Sequence, residues 1–222
     1  MAPREEVEVL DEELLEEELE QTLEPSEPVT IDVILTARTP ILMHKYSPAQ
    51  GPKKMQAPTT SYLDEWKTTC YTDNIKDPSN GHLCIPDYCI KATIMAAGRS
   101  KKIGKLYLKK YIASGVIINE QFPLVLVKGK AITIDDVEKN DWIHTCGAVV
   151  GKSRVDRRRA RIANWELRFT IKLDSPLITS QILHEILIAA STNEGLLDQR
   201  PGSPNKPGEF GQFYVSKFEV CP

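Results

Sequence analysis

Six basic side chains fall within ten residues: Lys152, Arg154, Arg157, Arg158, Arg159 and Arg161, with Asp156 the only acid among them. A guanidinium keeps its charge at every accessible pH, and its planar fork matches phosphate oxygens in pairs. Such a run is the footprint of polyanion binding; a solvated strand or loop face is the plain alternative. A second basic stretch holds Arg99, Lys101, Lys102, Lys105, Lys109 and Lys110. Tyr46, Tyr62, Trp66, Tyr71, Trp142 and Trp165 lie near these segments. Base–aromatic stacking contributes about 1–3 kcal/mol per base and tolerates any sequence, although Trp165 fits a core position better. A third stretch carries Gly195, Gly202, Gly208 and Gly211 with Arg200 and Lys206. Glycines let backbone N–H groups approach phosphates closely. No Gly-Lys-Ser/Thr occurs, so this is not a P-loop.

Catalytic chemistry has one candidate group. His44, Lys45 and Tyr46 stand together at the end of a predicted strand. They could shuttle protons in a metal-independent cleavage of RNA. His82, Cys84 and Cys89, with Cys70 within reach, fit no standard zinc spacing. Cys84 and Cys89 sit in an apolar run and suit small core positions. Asp135, Asp136 and Asp141 could meet a divalent ion, but acids in a turn account for them. Neither a metal nor a cofactor is expected.

The net charge of −3 conceals a split. Residues 1–28 hold twelve acids and one base, Arg4, leaving 27 Lys+Arg against 19 Asp+Glu beyond them, or +8. The acidic stretch reads as a partly helical or disordered arm that Pro25 and Pro28 close off. It could be a solubilising tail, a nucleic-acid mimic shielding the basic body, or a docking helix for a partner. No apolar run approaches the roughly 20 residues of a membrane span. The five cysteines are odd in number and follow no secretion signal, so reduced thiols and a cytoplasmic location are expected.

These groups need a scaffold. Residues 29–43 alternate and are β-branched, predicting a strand. Residues 44–82 read as a long irregular insertion. The segment 83–98 predicts a buried helix with Asp87 able to cap it and Gly98 to stop it. Residues 111–118 and 122–134 are strand-like, and 135–162 reads as a second insertion. Residues 163–173 predict a strand burying Trp165, Leu167, Phe169, Ile171 and Leu173. Residues 180–191 predict a helix capped by Ser180, followed by a loop at 195–211 and a last strand at 212–220. The order β-α-β-β-α-β is that of an α+β, ferredoxin-like (RRM-like) core, with two helices on one face of an antiparallel sheet.

The first strand, "LCIPDYCIKATIMAAG" and "GLLDQRPGSPNKPGEFGQFYV" resemble the RAMP superfamily, the RNA-binding backbone subunits of CRISPR effector complexes. Ile85, Pro86 and Lys91 match that family's "IP…K" opening of the first helix. Gly195, Gly202, Gly208 and Gly211 match its glycine-rich loop before the last strand. The chain is also similar to uncharacterised proteins encoded in phages and prophages. The acidic arm and the prolines Pro201, Pro204 and Pro207 depart from the family pattern. The resemblance implies a bound RNA, insertions that act as thumb and finger loops, and copies that stack into a homo-oligomeric filament.

Three function classes follow. The first is a non-catalytic binder of single-stranded nucleic acid, RNA favoured over DNA, working through a basic groove. Its phosphate contacts would be Arg99, Lys101, Lys102, Lys105, Lys109, Lys152, Arg154, Arg157, Arg158, Arg159 and Arg161. The second is an endoribonuclease using His44. The third is a phage structural or interaction protein acting through the acidic arm.

Overall fold

The computed structural model describes residues 27–45, 64–150, 153–204 and 207–221, without the side chains of 148–150 and 153–155. Nearly all of the acidic arm, together with Tyr46, Tyr62, Lys152 and Lys206, lies outside the described residues, as does the side chain of Arg154.

The chain folds as a mixed α+β structure. Its main sheet is built on two long strands, β1 (Val29–Ala37) and β10 (Trp165–Leu173), paired antiparallel with Val33 opposite Phe169. Strand β11 (Phe213–Val220) pairs antiparallel with the outer side of β1. On the far side of β10 come β5 (Val116–Ile118) and the small hairpin of β6 (Leu126–Val127) and β7 (Lys130–Ala131). The spatial order is β11-β1-β10-β6-β7, with β5 also on β10.

Strict alternation decides the two faces. Ile31, Val33 and Leu35 of β1 and Trp165, Leu167, Phe169, Ile171 and Leu173 of β10 are buried. They share one core with Ile90 and Ile94 of α2 (Asp87–Ala97) and with Leu183, Ile186, Leu187 and Ala190 of α5 (Ser180–Asn193). Burying a side chain of this size contributes about 1.5–3 kcal/mol, so this face holds the fold together. The opposite face keeps Asp32, Ile34, Arg168, Thr170 and Lys217 around a shallow depression of about 310 Å³.

Helices α2 and α5 lie side by side and run antiparallel. Thr93, midway along α2, donates to the carbonyl of Gly195, just beyond the end of α5 (3.0 Å). Lys101, just beyond the end of α2, meets Glu185 in the first half of α5 (3.4 Å).

Several expected elements differ from the observed ones. The strand expected over 29–43 ends at Ala37, and only Ile41–Leu42 (β2) resumes after Pro40, pairing with β9 (Ser153–Ile162) of a second sheet. Asp87 is the first helical residue of α2, and Pro86 occupies the capping position. Lys109–Gly115 is a helix (α3), so 111–118 contributes only three strand residues. Gly115 packs where a Cβ would stand 2.6 Å from the Asp174 carbonyl, and the helix ends there. Segment 122–134 is the β6–β7 hairpin, turned by Lys128 and Gly129 at positive φ. Thr179, not Ser180, caps α5 by accepting from the Ile182 N–H.

The second insertion is ordered. Thr133 and Asp136 form a capping box that starts α4 (Ile134–Lys139). A long hairpin follows, β8 (Ile143–Val150) and β9 (Ser153–Ile162), paired in register from Ile143–Ala160 to Val150–Ser153. The arginine run therefore lies on a strand. From the first insertion, the short helix α1 (Glu65–Thr68) packs its buried Trp66 into the core and lies against β9.

Candidate nucleic-acid interface

Period-two alternation puts Arg157, Arg159 and Arg161 on one face of β9, with Cys146 and His144 of β8 across from the first two. That face turns toward the loop after α5. Gln199 Nε2 donates to Cys146 Sγ (3.3 Å), and the His144 ring lies 5.4 Å from that of Phe210. Two of its arginines are occupied. Arg157 is hydrogen-bonded to Glu65. Arg159, 9% exposed, has Nε 3.6 Å from Asp198 Oδ2 and Nη1 3.9 Å from Glu65 Oε1. Its Nη1 donates to the Arg158 carbonyl (3.1 Å), while its Nε is buried without a hydrogen-bond partner among the described residues. Arg161 is exposed.

The second basic stretch is built differently. Past α2, a two-residue hairpin joins β3 (Lys102–Ile103) to β4 (Leu106–Tyr107) through Gly104 at φ 59°. This turn and the start of α3 present Arg99, Lys102, Lys105 and Lys109 to solvent. Among the described residues, Arg99, Lys105 and Lys109 have no carboxylate within ion-pair distance. Lys101 has a partly exposed pair with Glu185, of a kind worth little. Lys102 Nζ sits 4.0 Å from the centroid of the Tyr107 ring, which is 55% exposed.

The β9 face meets the loop after α5, whereas the lysine stretch meets α5 at Glu185 in its first half.

No family model and no curated protein matches this chain.

The glycine-rich loop holds itself rather than offering amides. The N–H groups of Gly195, Gly202, Gly208 and Gly211 donate to the carbonyls of Ala190, Glu194, Arg200 and Pro40. A Cβ on Gly211 would stand 2.0 Å from the Leu196 carbonyl, and one on Gly208 2.4 Å from that of Gln199. Close backbone packing thus accounts for these glycines. Arg200 pairs with Glu194 at 3.4 Å.

The loop's tight course creates a feature that periodicity does not reveal. Leu197 and Gln199 both take positive φ, 64° and 49°, which is uncommon outside glycine and clusters at functional sites. Between them stands Asp198, lining a cleft of about 230 Å³ with His44, Tyr71, Cys89, Leu197 and Arg200. His44 Nδ1 lies 3.5 Å from Asp198 Oδ2. Burial works to raise the Asp198 carboxyl, but the His44 hydrogen bond and charge, the Gln199 N–H and Arg159 outweigh it and hold the group below the usual carboxylate range. Burial pushes the Cys89 thiol up to about 11, so it stays neutral. The only sequence signal for Asp198 was its place between glycines, and Tyr71 had only its proximity to a basic segment.

Other candidates have structural roles. Trp165 and Trp66 are core residues, each 1% exposed. Asp136 serves the capping box and His82 lies against Asp73. Cys70 and Cys84 are buried. Among the described residues no group of three or more His, Cys, Asp or Glu converges as a metal site, and no helix is long and apolar enough to cross a membrane. Lys45 donates its backbone N–H to Thr69. On the open sheet face, Asp32 with Lys217 and Glu166 with Arg168 balance one another, giving no cationic platform there.

Proposed function

We propose that this protein binds single-stranded nucleic acid, RNA favoured, through backbone phosphates and without cutting it. The observation that carries this reading is the end of the helix layer where Arg99, Lys105 and Lys109 stand exposed and uncompensated beside the Lys102–Tyr107 pair. Cations without internal partners can replace condensed counterions on a polynucleotide, and an exposed aromatic ring can stack on a base. The exposed Arg161 on β9 adds a second point of contact. The spatial order β11-β1-β10-β5, with helices between the first and second and between the third and fourth in sequence, supports a ferredoxin-like core of the RAMP kind. The β8–β9 hairpin then takes the place of the thumb.

A filter-binding titration with single-stranded RNA, in rising salt, tests this. Affinity should fall with a log–log slope of roughly −0.7 for each phosphate contact. Affinity indifferent to salt would defeat the reading. Stacking of copies, the expectation from the resemblance, would appear as cooperativity in the same titration.

One observation favours a second reading, an endoribonuclease. His44 faces the cleft with Asp198 beside its Nδ1, the arrangement that orients an imidazole for proton transfer. Cleavage of labelled RNA in the absence of metal, lost in His44→Ala, would establish it in place of simple binding.

A further inference from the structure

Whereas the lysine cluster lies past the end of α2, the cleft beside Asp198 takes Ala92 and Thr93 from the middle of that helix. At about 230 Å³ it is smaller than the roughly 300–1,000 Å³ of sites for drug-sized ligands. That leaves room for one flat heterocycle. Its wall is the Tyr71 ring, braced edge-on by Tyr88 with centroids 6.4 Å apart at 74°. Cys89, Ala92 and Leu197 add apolar lining among the polar groups, and the Thr93 hydroxyl is turned onto the Gly195 carbonyl. Stacking on an aromatic side chain is how proteins hold an unstacked base.

The polar groups at this cleft select among bases. Asp198 Oδ1 accepts the Gln199 N–H at 3.0 Å, while Oδ2 lies 3.5 Å and 3.6 Å from His44 and Arg159. Those two separations exceed the roughly 2.7–2.9 Å of a charged hydrogen bond. The carboxylate is therefore held only loosely on that side and keeps acceptor capacity on both oxygens. Arg200 is similarly loose on Glu194, at 3.4 Å. A carboxylate needs two adjacent donors, and the guanidinium needs acceptors. Guanine offers N1–H and N2–H₂ on one edge and O6 and N7 on the next, the latter being the favoured acceptors of arginine. Adenine would present its N1 lone pair to the carboxylate. Cytosine and uracil each present only one donor on that edge.

We infer that the cleft formed by Tyr71, Leu197, Asp198 and Arg200 binds a single unstacked guanine base. The inference rests on the nucleic-acid reading for the source of that base, but its test does not depend on phosphate.

Guanosine, adenosine and xanthosine are titrated into the full chain by calorimetry. Guanosine should bind about tenfold or more tighter than adenosine. Asp198→Asn, nearly isosteric, should reverse the preference toward xanthosine. Xanthosine has a 2-carbonyl where guanosine has an amino group, and the new amide can donate to it. The melting temperature of the variant confirms that it is folded. Replacing Lys102, Lys105 and Lys109 by Glu should leave guanosine binding unchanged while weakening RNA binding about a hundredfold or more. Equal affinity for the three nucleosides, no nucleoside binding, or a preference unmoved by Asp198→Asn overturns the guanine site. RNA binding that survives the three lysine replacements leaves that site standing and sinks only the backbone reading.

Discussion

The arginine face of β9 and the lysine turn between α2 and α3 have similar composition and opposite electrostatic situations. On β9, Arg157 and Arg159 share Glu65, and Arg159 also lies against Asp198. Much of their charge is spent inside the molecule, fastening the hairpin to α1 and to the loop after α5. At the turn, Arg99, Lys105 and Lys109 have nothing to neutralise them among the described residues. A cationic cluster becomes a polyanion site by what fails to pair with it, and the density of basic letters in a sequence does not report that.

The largest effect should come from reversing the charge of the turn. Lys102, Lys105 and Lys109 replaced together by Glu should weaken single-stranded RNA binding by about a hundredfold or more at moderate salt, and reduce the salt slope by about 2. A variant that binds as before would move the interface elsewhere. Glu65→Gln attacks the other side of the comparison. Losing its charge leaves Arg157 and the nearly buried Arg159 undercompensated, which should cost about 1–3 kcal/mol in denaturant unfolding. It should also strengthen RNA binding a few-fold as Arg157 is released. Unchanged stability would show that the arginines are not held as described.

Removing residues 1–28 takes away eleven net negative charges and leaves a body of +8. RNA affinity at low salt should then rise, on the order of tenfold. Arg157→Ala should do least. With its partner Glu65 retained and its guanidinium already engaged, RNA affinity should change by less than about twofold and stability by about 0–1 kcal/mol.

Acid separates the cleft from the turn in a further way. The Asp198 carboxyl titrates lower folded than unfolded. Its contribution is therefore present above the unfolded value near 3.9 and is lost as pH falls through the lower folded value. Asp198→Asn should flatten the loss of stability below about pH 4, whereas lysine variants at the turn should not.

The long strands of the main sheet and both main helices were legible because their apolar positions repeat with a clear period. Val33 and Phe169 could be placed on one buried face from alternation alone. The short elements were not. Residues 111–118 read as a strand, yet Lys109–Gly115 is helical, with Ile112 closing against Gly98, where a Cβ would stand 2.1 Å from its Cδ1. The β8–β9 hairpin was masked by its charge, since Arg157 and Arg159 occupy inward positions that pattern-reading reserves for apolar residues. Of the candidate site, the basic segments were visible, but their pairing was not. Glu65 lies more than ninety residues from Arg157 in the sequence, and Asp198 is exposed to the cleft by a backbone conformation that no periodicity encodes.

Strand β1 has a kinetic consequence. It is synthesised well before both of its neighbours, and its partners lie as far away as Val220 for Ile31. Both edges of a strongly apolar strand therefore wait through most of translation for β10 and β11. Loop closure across that separation is slow, and unpaired edges invite association with other chains. Refolding yield should consequently fall as protein concentration rises, and a holdase chaperone should bind nascent chains that stop short of β10.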